Sequence, residues 1–202
     1  MAFLRSRLVS PVVDQTLGYQ LNLLVFRRQN RYIEECVRRN VTLPAQGMVL
    51  DIGCGTGHFS PLFPRDRYLG IDVLPQYVTW AREKHGRRFE VCGFEEIDRL
   101  PDVIGAAFGV GILHHLDDAL LERGLDSLAR KLPTGGRVFF LEAAWPRRRW
   151  NKVGLMLRRM DRGEFIRTEE GYLRLLRRGF RVLSSETHSV FPLDYHTFLL
   201  ER

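Results

Sequence analysis

The chain has little cysteine, almost no lysine and no long apolar run. Its three cysteines, Cys36, Cys54 and Cys92, are odd in number and show no C-x-x-C spacing. That argues against a disulfide framework and against a zinc site, and a reducing cytoplasmic setting is expected. Cys54 reads as a small packing residue. No apolar stretch approaches the roughly 20 residues that cross a bilayer as a helix. The opening MAFLRSRLVSPVV carries two arginines and a broken apolar stretch with no small-residue cleavage site after it, so it reads as a mature N-terminus. Internal repeats and low-complexity segments are absent.

What is abundant is arginine. The only lysines are Lys84, Lys131 and Lys152, yet the net charge is +7. Such a surface suits RNA or an anionic membrane, or is simply a solvated face. The length of 202 residues and an apolar fraction of 45% fit one domain with one sizeable core.

The chain is organised around residues 48–60, MVLDIGCGTGHFS. Met48, Val49 and Leu50 form an apolar run closed by Asp51, and Gly53, Gly55 and Gly57 alternate through the turn that follows. Glycine has no Cβ and tolerates φ > 0, so such a turn lets backbone approach a ligand. From Phe59 onward the pattern resembles the start of a helix, whose N-terminus would favour a negative group. A phosphate-cradling loop needs Lys-Ser/Thr after the last glycine, and His58-Phe59 stands there instead. The dinucleotide fingerprint G-x-G-x-x-G does not fit either.

A second buried strand, residues 68–72, ends in Asp72, about 20 residues beyond the first motif, where a carboxylate can accept ribose hydroxyls or cap the helix expected over 75–84. A third strand is expected at 89–91, a fourth at 107–113 ending in His114-His115-Leu116, and a fifth at 137–142 after an amphipathic helix over 120–132. A histidine at the carboxyl end of the fourth strand sits near the topological switch point, where ligands of open α/β sheets bind, and can take a proton at neutral pH. It can equally cap or pack. Two closing strands, 180–186 and 195–200, follow a helix that starts at the cap Thr168 and ends by Gly179. A helical period also runs through 12–40, with Leu17, Leu21, Leu24 and Val25 as one stripe and Tyr32, Ile33, Cys36 and Val37 as another; Tyr19 and Tyr32 could face a cleft.

The D-x-G-x-G-x-G pattern of Asp51, Gly53, Gly55 and Gly57, Asp72 at its distance, and His114-His115-Leu116 together resemble the class I (Rossmann-like) methyltransferases, in their small-molecule "type 11" branch. The resemblance covers roughly residues 49–202. It implies a seven-stranded, mostly parallel sheet of order 3-2-1-4-5-7-6 with strand 7 antiparallel and helices on both faces. It implies S-adenosylmethionine as cofactor, held by Asp51, Gly53, Gly55, Gly57, Asp72, Val73, Phe94, Glu95 and Leu113, and puts His114 or His115 forward as base. Two positions depart from the family: Phe94 stands where an Asp commonly receives the adenine amino group, leaving Glu95 as the nearest acceptor, and Gly109 stands where Asp commonly follows Phe108. No metal is implied.

One domain, 1–202, is therefore expected, with 1–46 as a helical lid and 145–168 as an insert over the substrate cleft. The insert alternates arginines with Trp145, Trp150, Leu155, Met156, Leu157 and Met160. A small-molecule or lipid-like acceptor is expected. Against an RNA acceptor stands the lack of an Asn-Pro-Pro-Tyr-type motif and of an appended RNA-binding module. Residues 145–162 also read as a basic amphipathic segment able to lie on anionic lipid. A non-catalytic binding protein and a nicotinamide dehydrogenase are the readings from other classes.

Overall fold

The computed structural model describes residues 27–161 and 163–202, so the stripe from Leu17 to Val25, Tyr19 and Arg162 lie outside the described residues. Helix α1 (Arg27–Asn40) leads into β1 (Met48–Ile52). Then come β2 (Tyr68–Asp72), α2 (Pro75–His85), β3 (Arg88–Val91), β4 (Ile104–Val110) and α3 (Asp118–Lys131). The chain closes with β5 (Arg137–Ala144), α4 (Lys152–Arg159), α5 (Glu169–Leu176), β6 (Arg181–Val190) and β7 (Leu193–Glu201). The strands form one sheet of order β3-β2-β1-β4-β5-β7-β6. The first five pair in parallel, and β7 runs antiparallel to both β5 and β6. This is the sheet that the family resemblance implies.

The pleat sends alternate side chains of β1 to opposite faces. Met48, Leu50 and Ile52 join Leu121, Leu125 and Leu128 of α3 and Tyr172 and Leu176 of α5 in one cluster. Val49 joins Val37 of α1 and Val78 and Ala81 of α2 in the other. Helices therefore cover both faces; β1 is buried throughout and β4 up to its last residue, Val110. Local chemistry sets the helix starts: Asp117 accepts the Leu120 amide at 2.7 Å and Thr168 accepts that of Gly171 at 3.2 Å.

Two expectations need correction. No α-helix follows the glycine turn; Ser60–Leu62 and Arg65–Arg67 are single 3₁₀ turns. Pro64 is the physical reason. It has no N–H to continue a helix and biases Phe63 toward extended backbone, where it stands at φ −121°, ψ 156°. The turn thus has no helix dipole behind it. The fourth strand runs three residues earlier than its apolar run suggested, and Gly111 at φ +65° turns the chain into a 3₁₀ turn, Leu113–His115. Leu113 is accordingly a turn residue, not a strand residue.

Candidate functional site

The carboxyl ends of β1, β2, β3 and β4 share one edge of the sheet, and the glycine turn lies across it. Gly53, Gly55 and Gly57 all have φ between +52° and +73°, but their surroundings differ. A Cβ on Gly53 would meet Ile112 at 2.8 Å, and one on Gly57 would meet Phe89 at 2.6 Å. A Cβ on Gly55 would meet nothing within 4 Å. Two of the glycines therefore serve packing, and Gly55 is the one that bares backbone to open space.

Asp72 closes the crevice from the tip of β2. Its two carboxylate oxygens accept the Gly55 amide at 3.0 Å and the Leu74 amide at 2.9 Å. Burial pushes its pKa up, and those backbone N–H groups pull it back. Each oxygen keeps a further lone pair. Next to it in the chain, Val73 is an apolar side chain left 59% exposed. Glu95, beyond β3, folds its carboxylate back over Gly93, where an added Cβ would lie 2.7 Å from it. Bare backbone, an acceptor pair, an apolar wall and a second carboxylate fit an adenosyl group by the chemistry of the donor set.

Two expected contacts are placed elsewhere. Asp51 is buried and accepts a hydrogen bond from the Tyr68 hydroxyl at 2.6 Å, and burial lifts its pKa to about 7. It braces the strand pair from inside and has no face toward the crevice. Phe94 is a core side chain, 4% exposed. Its ring fills the hollow opposite Gly124 of α3, where a Cβ would approach it to 2.3 Å, and meets Phe140 edge-on. It does not wall an adenine. Gly109 has a packing reason as well: a Cβ there would strike Ile112 at 2.8 Å and Phe140 at 3.0 Å.

The histidine pair is divided by burial. His115 is exposed, whereas His114 is 5% exposed and lies 4.3 Å from it, ring to ring. Glu142, fully buried at the end of β5, organises the loop. Its Oε1 accepts the amides of Ile112 and Leu113 at 2.9 and 2.8 Å, and its Oε2 lies 2.7 Å from His114 Nδ1. On the other side Asp161 Oδ1 stands 3.4 Å from His114 Nε2. Residues 163–167 cover the ring: Phe165 N–H donates to the His114 carbonyl at 2.9 Å, and Arg167 holds the carbonyls of Leu113 and Leu116 at 3.1 and 2.8 Å. Burial alone would depress the imidazole, but the carboxylates of Asp161 and Glu142 outweigh it and hold the pKa up to about 9. Both ring nitrogens of His114 thus face carboxylates, an arrangement that favours the imidazolium. His114, His115 and Asp161 do bring donor atoms within 4.8 Å of one another. A metal ion there would have to displace the proton that Glu142 and Asp161 favour on the His114 ring.

The pairing has a pH signature. A raised histidine pKa stabilises the fold fully below about 6.5, and the gain disappears as pH climbs to about 9. Asp161, for which burial opposes and His114 favours the charge, is held down to about 2, so its share is intact throughout that range. Asp51, raised to about 7 by burial, is half-titrated at the start of that window and lowers stability in the same sense as pH rises. Stability should therefore fall between pH 7 and 9, by on the order of 2–3 kcal/mol. Asp161→Asn should flatten that slope in thermal melts, and a flat wild-type profile would remove the imidazolium.

Glu142, Asp161 and Arg167 were not singled out from the sequence. Glu142 carried a readable signal, an acid closing the apolar run RVFFLE as Asp51 and Asp72 close theirs. Asp161 and Arg167 sit among many charged residues of the insert and had none. Beside the glycine turn a cavity of about 610 Å³ is lined by Arg27, Arg28, Asn30, Arg31, Glu34 and His58.

Residues 25–185 match a family model described as a methyltransferase domain. Among curated proteins the chain is similar to a demethylmenaquinone methyltransferase of Deinococcus radiodurans, 35% identical over 106 residues, 46% of this chain and 42% of that protein. It is also similar to a tRNA (carboxymethyluridine(34)-5-O)-methyltransferase of Arabidopsis thaliana, 27% identical over 105 residues, 52% of this chain and 25% of that protein. The chain thus spans less than half the length of these relatives. Among solved structures it is similar to the N-methyltransferase NodS from Bradyrhizobium japonicum WM9 in complex with S-adenosyl-l-homocysteine, with a TM-score of 0.66 at 16% identity, over 85% of this chain and 86% of that one.

Proposed function

We propose a function from one premise: this chain belongs to the methyltransferase domain family. Its methyl donor is S-adenosylmethionine, and its acceptor is a small or lipid-like molecule. The observation that carries this reading is the open side of Gly55 tied by its amide to the Asp72 carboxylate at the tip of β2, with exposed Val73 next in the chain.

The bound donor supplies a methyl group already activated by its sulfonium charge, so the protein's part is alignment and exclusion of water. Gly53 and Gly57 lock the turn, and Gly55 lets its backbone lie against the ligand. Asp72 accepts the ribose hydroxyls, Val73 presents an apolar side chain to the adenine, and Glu95 accepts from its amino group. Leu113, fully buried under the Gly111 turn, packs the floor. His114 is a positioning residue, and His115, exposed at the end of the same turn, is the candidate base for the acceptor's proton. Helix α1 and the described part of the insert after β5 frame the acceptor side. The relative named as a demethylmenaquinone methyltransferase supports a small, apolar acceptor.

An RNA acceptor is the second reading, favoured by the +7 charge and the Arabidopsis relative. The test is calorimetric titration with S-adenosylmethionine and with NADH, followed by transfer of a labelled methyl group into a cell extract split into lipid, small-molecule and RNA fractions. Heat with the methyl donor and label in the lipid or small-molecule fraction are expected. Label confined to RNA would overturn the acceptor class, and heat only with NADH would overturn the donor.

A further inference from the structure

Helix α4 turns polar groups inward: Asn151, Gly154 and Arg158 are buried, with Leu157 packed beside them against the core. Asn151 Nδ2 donates to the Pro192 carbonyl at 2.9 Å. Arg158 donates through Nε to the Ala144 carbonyl at 3.1 Å and through Nη2 to that of Asp194 at 2.6 Å. A Cβ on Gly154 would lie 2.2 Å from the Pro192 carbonyl oxygen, so the helix backbone rests directly on the β6–β7 turn. These contacts fix the rotation of the helix about its axis.

With that rotation fixed, Val153, Met156 and Met160, spaced i, i+3 and i+7, point outward at 50%, 54% and 71% exposure. Trp150 and Phe191, 63% and 55% exposed with ring centroids 6.2 Å apart, extend the patch across the neighbouring turn. Contiguous apolar surface of this kind marks an interaction site. Around it Arg147, Arg148, Arg149, Lys152 and Arg159 are all exposed, and no acidic residue stands between Trp145 and Met160. Among the described residues no helix is long and apolar enough to cross a membrane.

We propose that this face docks on the surface of an anionic phospholipid bilayer. The apolar side chains enter the headgroup boundary, and the rim arginines and Lys152 meet the lipid phosphates. Charge selects this occupant: a second copy stacked face to face would set the same arginines against one another, whereas an anionic leaflet complements them. The proposal does not depend on the methyl-transfer reading.

The test is co-sedimentation of the full chain with vesicles of phosphatidylcholine alone or mixed with phosphatidylglycerol, at low and high salt. Binding to the mixed vesicles that weakens with salt is expected. The double variant Met156→Asp with Met160→Asp should bind at least tenfold more weakly while keeping its melting temperature and its cofactor affinity. Arg147→Ala with Arg148→Ala and Arg149→Ala should lose most of the salt dependence, and brominated lipid should quench the tryptophan emission of the wild type more than that of Trp150→Phe. Wild type left in the supernatant with both vesicles would overturn the proposal. So would equal binding by the aspartate variant, or a concentration-dependent dimer that the aspartates disrupt.

Discussion

Glu142→Ala is expected to destabilise the fold by about 3–5 kcal/mol, the range for removing one partner of a buried ion pair. The loss has two sources. The amides of Ile112 and Leu113 would be left without the acceptor that both share, and each unsatisfied buried donor costs on the order of 1–3 kcal/mol. The buried His114 would keep only Asp161, at 3.4 Å. Glu142→Gln keeps the shape and one acceptor oxygen, so it should fall between wild type and alanine. Urea titration at pH 7 measures the series. A loss below about 1 kcal/mol for the alanine variant would mean that the loop is held by the covering segment and not by this carboxylate.

Asp72→Ala should weaken S-adenosylmethionine binding by roughly 1–3 kcal/mol, the loss of charged hydrogen bonds, or about 5- to 150-fold in Kd. The structure adds a complication that decides the controls. Asp72 also accepts the Gly55 and Leu74 amides, so its removal loosens the turn itself. Asp72→Asn retains an acceptor oxygen for one amide and loses the charge. If the carboxylate grips the ligand, asparagine should recover little of the affinity. Full recovery would assign Asp72 to shaping the turn, and unchanged affinity in the alanine variant would remove it from the site. Isothermal titration with donor and with S-adenosylhomocysteine reads both cases.

Much of the crevice was legible because its chemistry is local. Three glycines at alternate positions need no distant partner to declare a tight turn, and Asp72 follows from the length of one crossover. The glycines' separate duties were not legible, because Ile112 and Phe89 lie far along the chain from Gly53 and Gly57. The missing helix after Phe59 was a local error: Pro64 was on view, and its effect on Phe63 outweighed the motif's expectation.

The sequence by itself determined the alternation of strands and helices, the glycine turn at residues 53–57 and the acid at the tip of β2, since each depends on spacing along a few neighbouring residues. Tertiary structure alone decided which side chains of the motifs stay exposed and which face the core. Phe94 turned inward because Gly124, thirty positions later, left room for it. His114 became a covered cation because Glu142 and Asp161 arrive from a strand and an insert that sequence distance hides. α4 turned its methionines outward because its one buried guanidinium found carbonyl acceptors on β5 and β7. Periodicity reports that a helix has two faces; only the surface it lands on determines which one is buried.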